Sequence, residues 1–132
     1  MTRADLSRWI DAYEAAWRTP GTDALDALFA PAATYQSAPF QRPYAGRDAI
    51  KEFWERNRES ADEKFEMRAQ IVAIEGDTGV VRVEVDYAEP IDRTYRDLWI
   101  VTVDAEGRCT AFEEWPFWPP GSKGTYAPGP PA

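Results

Sequence analysis

The sequence predicts an α+β fold, in which three N-terminal helices pack on a strongly curved, mostly antiparallel β-sheet and leave a cone-shaped hollow open at one end. Three observations carry that expectation. Stripes of apolar residues at helical spacing fall before about residue 59. From Phe65 onward the segments are rich in β-branched and aromatic residues instead. The final hairpin, Tyr95 to Trp118, has two largely apolar faces where a surface hairpin would have one wet face.

The first helix spans about Ala4 to Arg18, with Leu6, Trp9, Ile10, Tyr13, Ala16 and Trp17 on its buried stripe. Thr19, Pro20 and Gly21 stop it. Thr22 can cap a short second helix whose Leu25, Leu28 and Phe29 share a face and which Pro31 ends. A short strand follows over Thr34 to Ser37, then a loop rich in proline and aromatics. Gly46 begins the third helix, Arg47 to about Glu59, with Asp48 favoured in its first turn and Ile50, Phe53 and Trp54 buried.

After a polar S-A-D-E connection, Phe65 to Ile74 suits a strand, and E-G-D-T-G turns it into a second one, Val80 to Tyr87. There Val81, Val83, Val85 and Tyr87 alternate with Arg82, Glu84 and Asp86. The last hairpin turns through D-A-E-G. With a four-residue loop, Val103 faces Arg108, Trp99 faces Phe112 and Asp97 faces Glu114. Asp97, Trp99, Val101, Thr110, Phe112 and Glu114 then share one face, which reads as the wall of a ligand cavity. Leu98, Ile100, Thr102, Ala111, Glu113 and Trp115 form the other, a packing or subunit surface. A loop one residue longer or shorter would set Glu113 beside Asp97 instead.

At 132 residues the chain suits one domain, residues 1–118, followed by a Pro/Gly-rich tail, 119–132. That tail either lies over a neighbouring surface through Tyr126 or is loose. Six Trp, six Tyr and six Phe supply rigid apolar walls for a deep pocket or a broad interface. A net charge of −8 argues against nucleic acid. The lone Cys109 sits mid-strand and reads as a small core residue. No signal-peptide or membrane-span run is present, so a cytoplasmic location is expected. The chain has no histidine, which removes Ser-His and Cys-His relays and the usual zinc ligand sets. Acid–base chemistry must therefore use Asp, Glu, Tyr or Lys, with no metal or organic cofactor expected.

The stretches A-L-F-A-P-A-A-T-Y-Q-S-A-P and P-Y-A-G-R-D-A-I-K-E-F-W, with the closing F-E-E-W-P-F-W, resemble the nuclear transport factor 2-like superfamily, in particular its SnoaL-like members. The resemblance covers roughly residues 5 to 118 and implies the cone-shaped fold, which serves isomerases, cyclases, dehydratases, epoxide hydrolases and non-enzymes. Matched to ketosteroid isomerases, Tyr13 falls on the helix-1 oxyanion tyrosine. Their oxyanion aspartate falls on Trp99, two residues from Asp97, and their base near Gln36 or Ser37, so steroid isomerisation is not implied. Matched to limonene epoxide hydrolase, Tyr35 falls on a water-holding tyrosine, Ser37 replaces its asparagine partner, and Glu114 takes the place of the last-strand aspartate. Its Arg-x-Asp element falls on Arg82 and Glu84, or on Glu84 and Asp86.

Together these readings nominate Glu114 as base, Asp97 as acid, and Tyr13 and Tyr35 as positioning groups, acting on a small apolar substrate by hydrolysis, isomerisation or cyclisation. Trp17, Ser37, Phe40, Tyr44, Phe53, Trp54, Arg82, Glu84, Trp99, Phe112 and Trp118 are the candidate substrate-binding residues. The competing reading sets the two carboxylates at a wet sheet edge, or pairs them with Arg96, Arg108 or Arg82, and places the aromatics in an ordinary core. The chain would then be a non-catalytic binding or dimerisation module. In either case a homodimer through the outer sheet face is expected.

Overall fold

A computed structural model describes residues 1–58, 64–89 and 91–121. The polar connection after the third helix and most of the tail, Tyr126 included, lie outside the described residues. The elements run α1 (Arg3–Arg18), α2 (Leu25–Leu28), β1 (Phe29–Gln36), β2 (Tyr44–Ala45), α3 (Arg47–Asn57), β3 (Phe65–Glu75), β4 (Thr78–Tyr87), β5 (Thr94–Val103) and β6 (Cys109–Phe117). The strands form one six-stranded sheet in the order β2-β1-β6-β5-β4-β3. All neighbours are antiparallel except β1 and β6. The architecture is the α+β one that the sequence predicts, with the helices on the inner face of a curved sheet.

Local chemistry sets the helix ends. Thr2 and Asp5 close a reciprocal capping box at the start of α1, satisfying two otherwise orphaned N–H groups. Gly46 caps α3 at φ 91°, a conformation that a side chain would strain, and its N–H donates to the Ala33 carbonyl at 2.8 Å. The first strand is longer than its sequence suggests. It begins at Phe29, directly after α2, so Phe29 belongs to the sheet and not to a helix face. Pro31, expected to end a helix, lies where pairing with β6 lapses between Phe29 and Thr34. Lacking an N–H, proline is tolerated in a strand at such an irregularity.

Leu6, Trp9, Ile10, Tyr13 and Ala16 of α1 are buried against Val81 and Val83 of β4, Trp99 and Val101 of β5, and Phe112 of β6. The indole of Trp9 donates to the Leu28 carbonyl at 3.0 Å, tying α1 to α2. Gly79 of β4 lets the helix sit close: a Cβ there would stand 2.4 Å from Leu6 Cδ2. The face of β4 that carries valines is thus the inner one. By alternation Arg82, Glu84 and Asp86 face outward.

The last hairpin corrects the expected register. Asp104 N–H donates to the Arg108 carbonyl at 2.8 Å and Gly107 N–H to the Asp104 carbonyl at 3.0 Å, with Gly107 at φ 80°. The Asp104 carboxylate also accepts from the N–H groups of Glu106 and Arg108. The link is therefore one residue tighter than a D-A-E-G loop. Thr110 is then an extra residue in β6, since Val103 pairs with Cys109 but Thr102 with Ala111. Both offsets run the same way, so Trp99 faces Glu114, Val101 faces Phe112 and Asp97 faces Pro116. The total offset is even, so Asp97, Trp99, Val101, Phe112 and Glu114 keep a common face. Cys109, fully buried, replaces Thr110 on it.

Candidate active site

The space between α1, α3 and the inner face of β3 to β6 is a cavity of about 500 Å³. Tyr13 reaches it from α1, Tyr35 and Ser37 from β1 and its end, Asp97 and Trp99 from β5, and Glu114 from β6. All four elements present these side chains because their neighbours on the same face are core residues. Asp97 precedes buried Trp99 and Val101 by two-residue steps, and Glu114 follows buried Phe112 in the same way.

Three of these groups, Tyr13, Tyr35 and Glu114, form one hydrogen-bonded chain. The Tyr35 hydroxyl donates to Glu114 Oε2 at 2.9 Å, and the hydroxyls of Tyr13 and Tyr35 lie 3.2 Å apart. Since Tyr35 spends its proton on the carboxylate, Tyr13 is the donor within the tyrosine pair. Asp97 is only 6% exposed, and its Oδ1 is buried without a hydrogen-bond partner. Glu114 is half-buried as a residue, with its carboxylate held toward Tyr35. Asp97 and Glu114 are diagonal neighbours across β5 and β6, not directly opposed.

Electrostatics divides the two acids. Burial pushes the Asp97 carboxyl up to about 10, the Glu114 charge and a hydrogen bond to Glu114 pushing the same way. Burial also raises Glu114, but hydrogen bonds from Asp97 and Tyr35 oppose the rise by supporting the ionised form. Two buried carboxyls that repel each other when both are charged favour keeping a proton between them. Burial, then the charge of Glu114, lifts both tyrosines well above the usual phenol range, so they act as neutral donors. The three arginines set against the acids in the competing reading are engaged elsewhere. Arg96 bridges Asp86 and Glu84, Arg108 meets Glu106 and Asp104, and Arg82 donates to Gln70.

Of the other residues nominated from the sequence, Trp17, Ser37, Phe53 and Trp99 line the cavity. Phe40 does not, standing fully exposed on the loop after β1. Arg82 and Glu84 lie on the outer face, where Arg68 clasps Glu84 and Asp86, because the valines claim the inner side of β4. Tyr44, Trp54 and Phe112 are core residues behind the wall: Phe112 packs on Tyr35 at 4.7 Å, Trp54 on Tyr13 at 5.0 Å, and Tyr44 on Phe53 at 4.6 Å. Trp118 is half-buried, edge-on to Tyr95 at 6.5 Å. Gln36, near the matched base position, is occupied with the Pro39 and Gln41 carbonyls. The sequence reading missed Phe65, Met67, Val85, Tyr87, Tyr95 and Pro116 as lining. Alternation would have found three of these, since Val85, Tyr87 and Tyr95 continue the faces of Val83 and Asp97.

Cys109 is fully buried, and burial pushes its thiol up to about 12, which suits a core residue. Among the described residues no cluster of three or more Cys, Asp or Glu could hold a metal ion, and no helix is long and apolar enough to cross a membrane.

A family model described as SnoaL-like domain matches residues 9–112. No curated protein sequence matches the chain. Among solved structures, the epoxide hydrolase/cyclase-like enzyme SalBIII of pyran-ring formation in the polyether salinomycin superposes with a TM-score of 0.68 at 12% identity, covering 87% of this chain and 92% of that one. A limonene epoxide hydrolase-like epoxide hydrolase of M. tuberculosis gives 0.64 at 14% identity, covering 86% and 84%. A steroid delta-isomerase from Pseudomonas aeruginosa gives 0.63 at 18% identity, covering 87% and 81%. At such identities the likeness is one of fold.

Proposed function

The chain belongs to the SnoaL-like family, and from that premise we propose that its cavity is the active site of a cofactor-free enzyme doing carboxylate acid/base chemistry on a small apolar substrate. The observation that carries this reading is the unneutralised acid pair. Tyr35 donates to Glu114, and Asp97 keeps a buried oxygen without a partner, both on the wall of one hollow lined by Trp17, Phe53 and Trp99. Leaving such groups in a core without a task would cost several kcal/mol, roughly 1–3 for each unmet hydrogen bond.

In the proposed cycle Glu114 takes a proton from water, from a hydroxyl or from an acidic carbon. Asp97 gives its proton to the oxygen that gains charge. One proton enters the pair and one leaves, so the pair is restored by a single proton shift from Glu114 to Asp97. Epoxide opening by water and ring closure by a hydroxyl fit that balance; in a double-bond isomerisation the same two transfers give an enol, and Glu114 returning its proton to a second carbon while Asp97 takes back the enol proton restores the pair. Tyr13 and Tyr35 hold Glu114 ionised and aimed. Glu114→Gln should abolish turnover of any substrate found in a thermal-shift panel of terpenoid, steroid and polyketide-like compounds, with the circular dichroism spectrum intact. Unchanged turnover would refute the base assignment.

A second reading, non-catalytic ligand capture in the same hollow, draws support from the residues that replace a matched base and a matched oxyanion acid, Gln36 or Ser37 and Trp99. In that case the pair would only select ligands by hydrogen bonding. We also propose a homodimer through the outer sheet face, where Val72, Leu98 and Phe117 are exposed and Ile100 and Trp115 half-exposed.

A further inference from the structure

In the cavity an acid is joined directly to aromatic rings. The Tyr35 hydroxyl donates to Glu114 Oε2 at 2.9 Å, and the Tyr13 hydroxyl lies 3.2 Å from that of Tyr35. From these two phenols the rings continue around the hollow. Tyr13 meets Trp99 with centroids 4.5 Å apart and planes at 53°, and Tyr35 meets Phe53 at 5.0 Å and 50°. Trp17 is linked to them through Trp54, which stands 4.8 Å from Trp17 and 5.0 Å from Tyr13. Tyr13, Trp17, Tyr35, Phe53 and Trp99 all line the cavity together with Asp97 and Glu114. Rings set at such angles leave faces uncovered, and an aromatic face carries the negative part of the ring quadrupole.

Among the described residues no basic side chain acts on either acid: Asp97 answers to Glu114 and the Trp99 indole, and Glu114 to Asp97 and Tyr35. Asp97, only 6% exposed, keeps its Oδ1 without a hydrogen-bond partner. The arginines on the same lining are engaged. Arg58 meets Glu55 at 3.0 Å and donates to the carbonyls of Ala16, Trp17 and Gly21. Arg56 rests over the Tyr44 ring and pairs with Glu52 at 3.9 Å, and Arg93 has a partner too. A carboxylate taken out of water needs a countercharge, and aromatic faces attract a cation without supplying one. We propose that the hollow seats an organic cation, so that its ligand is an apolar molecule whose protonated amine or quaternary ammonium group lies against Glu114 among the rings of Tyr13, Trp17, Phe53 and Trp99. That this ligand is a substrate rests on the acid/base reading above; that it is a cation does not.

Titration of the intrinsic tryptophan fluorescence with benzyltrimethylammonium, its uncharged isostere neopentylbenzene and phenylmethanesulfonate, an anion of like shape, tests the seat. The cation should bind at least about tenfold more tightly than the isostere, as expected for a desolvated cation held by rings and a carboxylate, and the sulfonate should bind least. Glu114→Gln should lose most of that preference while still binding the isostere, which shows the hollow intact. Trp17→Leu should shrink the preference by about two- to fivefold, whereas Trp17→Phe should keep part of it. Asp97→Asn leaves Glu114 in place and should keep the preference. Equal binding of cation and isostere, tighter binding of the sulfonate, or a preference unchanged in Glu114→Gln would overturn the proposal. If the cation is preferred while Glu114→Gln leaves turnover untouched, only the catalytic reading falls; if Glu114→Gln abolishes turnover but cation and isostere bind alike, only the cation seat falls.

Discussion

Removing the ionisable group at position 97 should change how stability depends on pH, and by an amount that the site fixes. An unfolded carboxyl titrates near pH 4. In the folded protein burial raises Asp97 to about 10 and raises Glu114 as well. The folded state then binds more protons than the unfolded chain, and this contribution is fully present below about pH 4 and is lost as pH rises toward 10. One retained proton gives a slope of about −1.4 kcal/mol per pH unit, or roughly 4 kcal/mol between pH 5 and pH 8. That is a large part of the ~5–15 kcal/mol typical of a domain.

The chain has no histidine. Asp5, Asp26 and Asp86 are all depressed, chiefly by hydrogen bonds from Thr2, Lys51 and Arg68, so their stabilisation is complete above the unfolded value and is lost only in more acid solution. Urea denaturation at intervals from pH 5 to pH 8 would measure the slope. Asp97→Asn should flatten it and leave the protein more stable than the parent at pH 8. Glu114→Gln should keep part of the slope, since burial rather than the neighbouring charge is the larger cause at Asp97. A flat parent profile, or the same slope in Asp97→Asn, would show that the acid pair does not hold the extra proton, and the assignment of acid and base would go with it.

Three further outcomes are expected. Gly79→Ala should destabilise by about 1–3 kcal/mol in chemical denaturation, because the new Cβ meets Leu6 in a filled core; a neutral result would mean that α1 is not seated so closely. Tyr35→Phe should keep the fold and raise the Glu114 carboxyl further, moving the acid limb of any pH–rate profile upward, because the donor at 2.9 Å supports the charged form; an unmoved limb would remove Tyr35 from the proton network. Leu98→Glu on the exposed outer face should convert a dimer to a monomer by light scattering without altering ligand binding; a parent already monomeric would refute the dimer.

How much of this could be read from the chain alone depends on which physical signal carried each residue. Helix positions came from stripes such as Leu6, Trp9, Ile10 and Tyr13, and the fold from their order relative to the β-rich segments; both signals are local, and both hold. The pairing of the last hairpin did not come through. A tight turn stabilised by the Asp104 carboxylate and an extra residue at Thr110 are each decided by a few hydrogen bonds that composition does not announce. The site was legible all the same, because side-chain direction depends only on whether the offset is odd or even. Two single offsets left Asp97 and Glu114 on the inner face while moving their partners. The same parity argument explains what failed on β4. Its two faces were told apart correctly, but which one turns inward depends on where α1 lands, and the valines packed beneath α1 decide that against Arg82 and Glu84. Depth was the harder quantity. Trp54, Phe112 and Tyr44 differ from Trp17, Trp99 and Phe53 only by a few ångströms of position behind or along the same wall, a distinction that residue type cannot encode. An aromatic-rich sequence can therefore announce that a hollow exists and which acids face it, while the rings that touch a ligand are set by the curvature of the sheet.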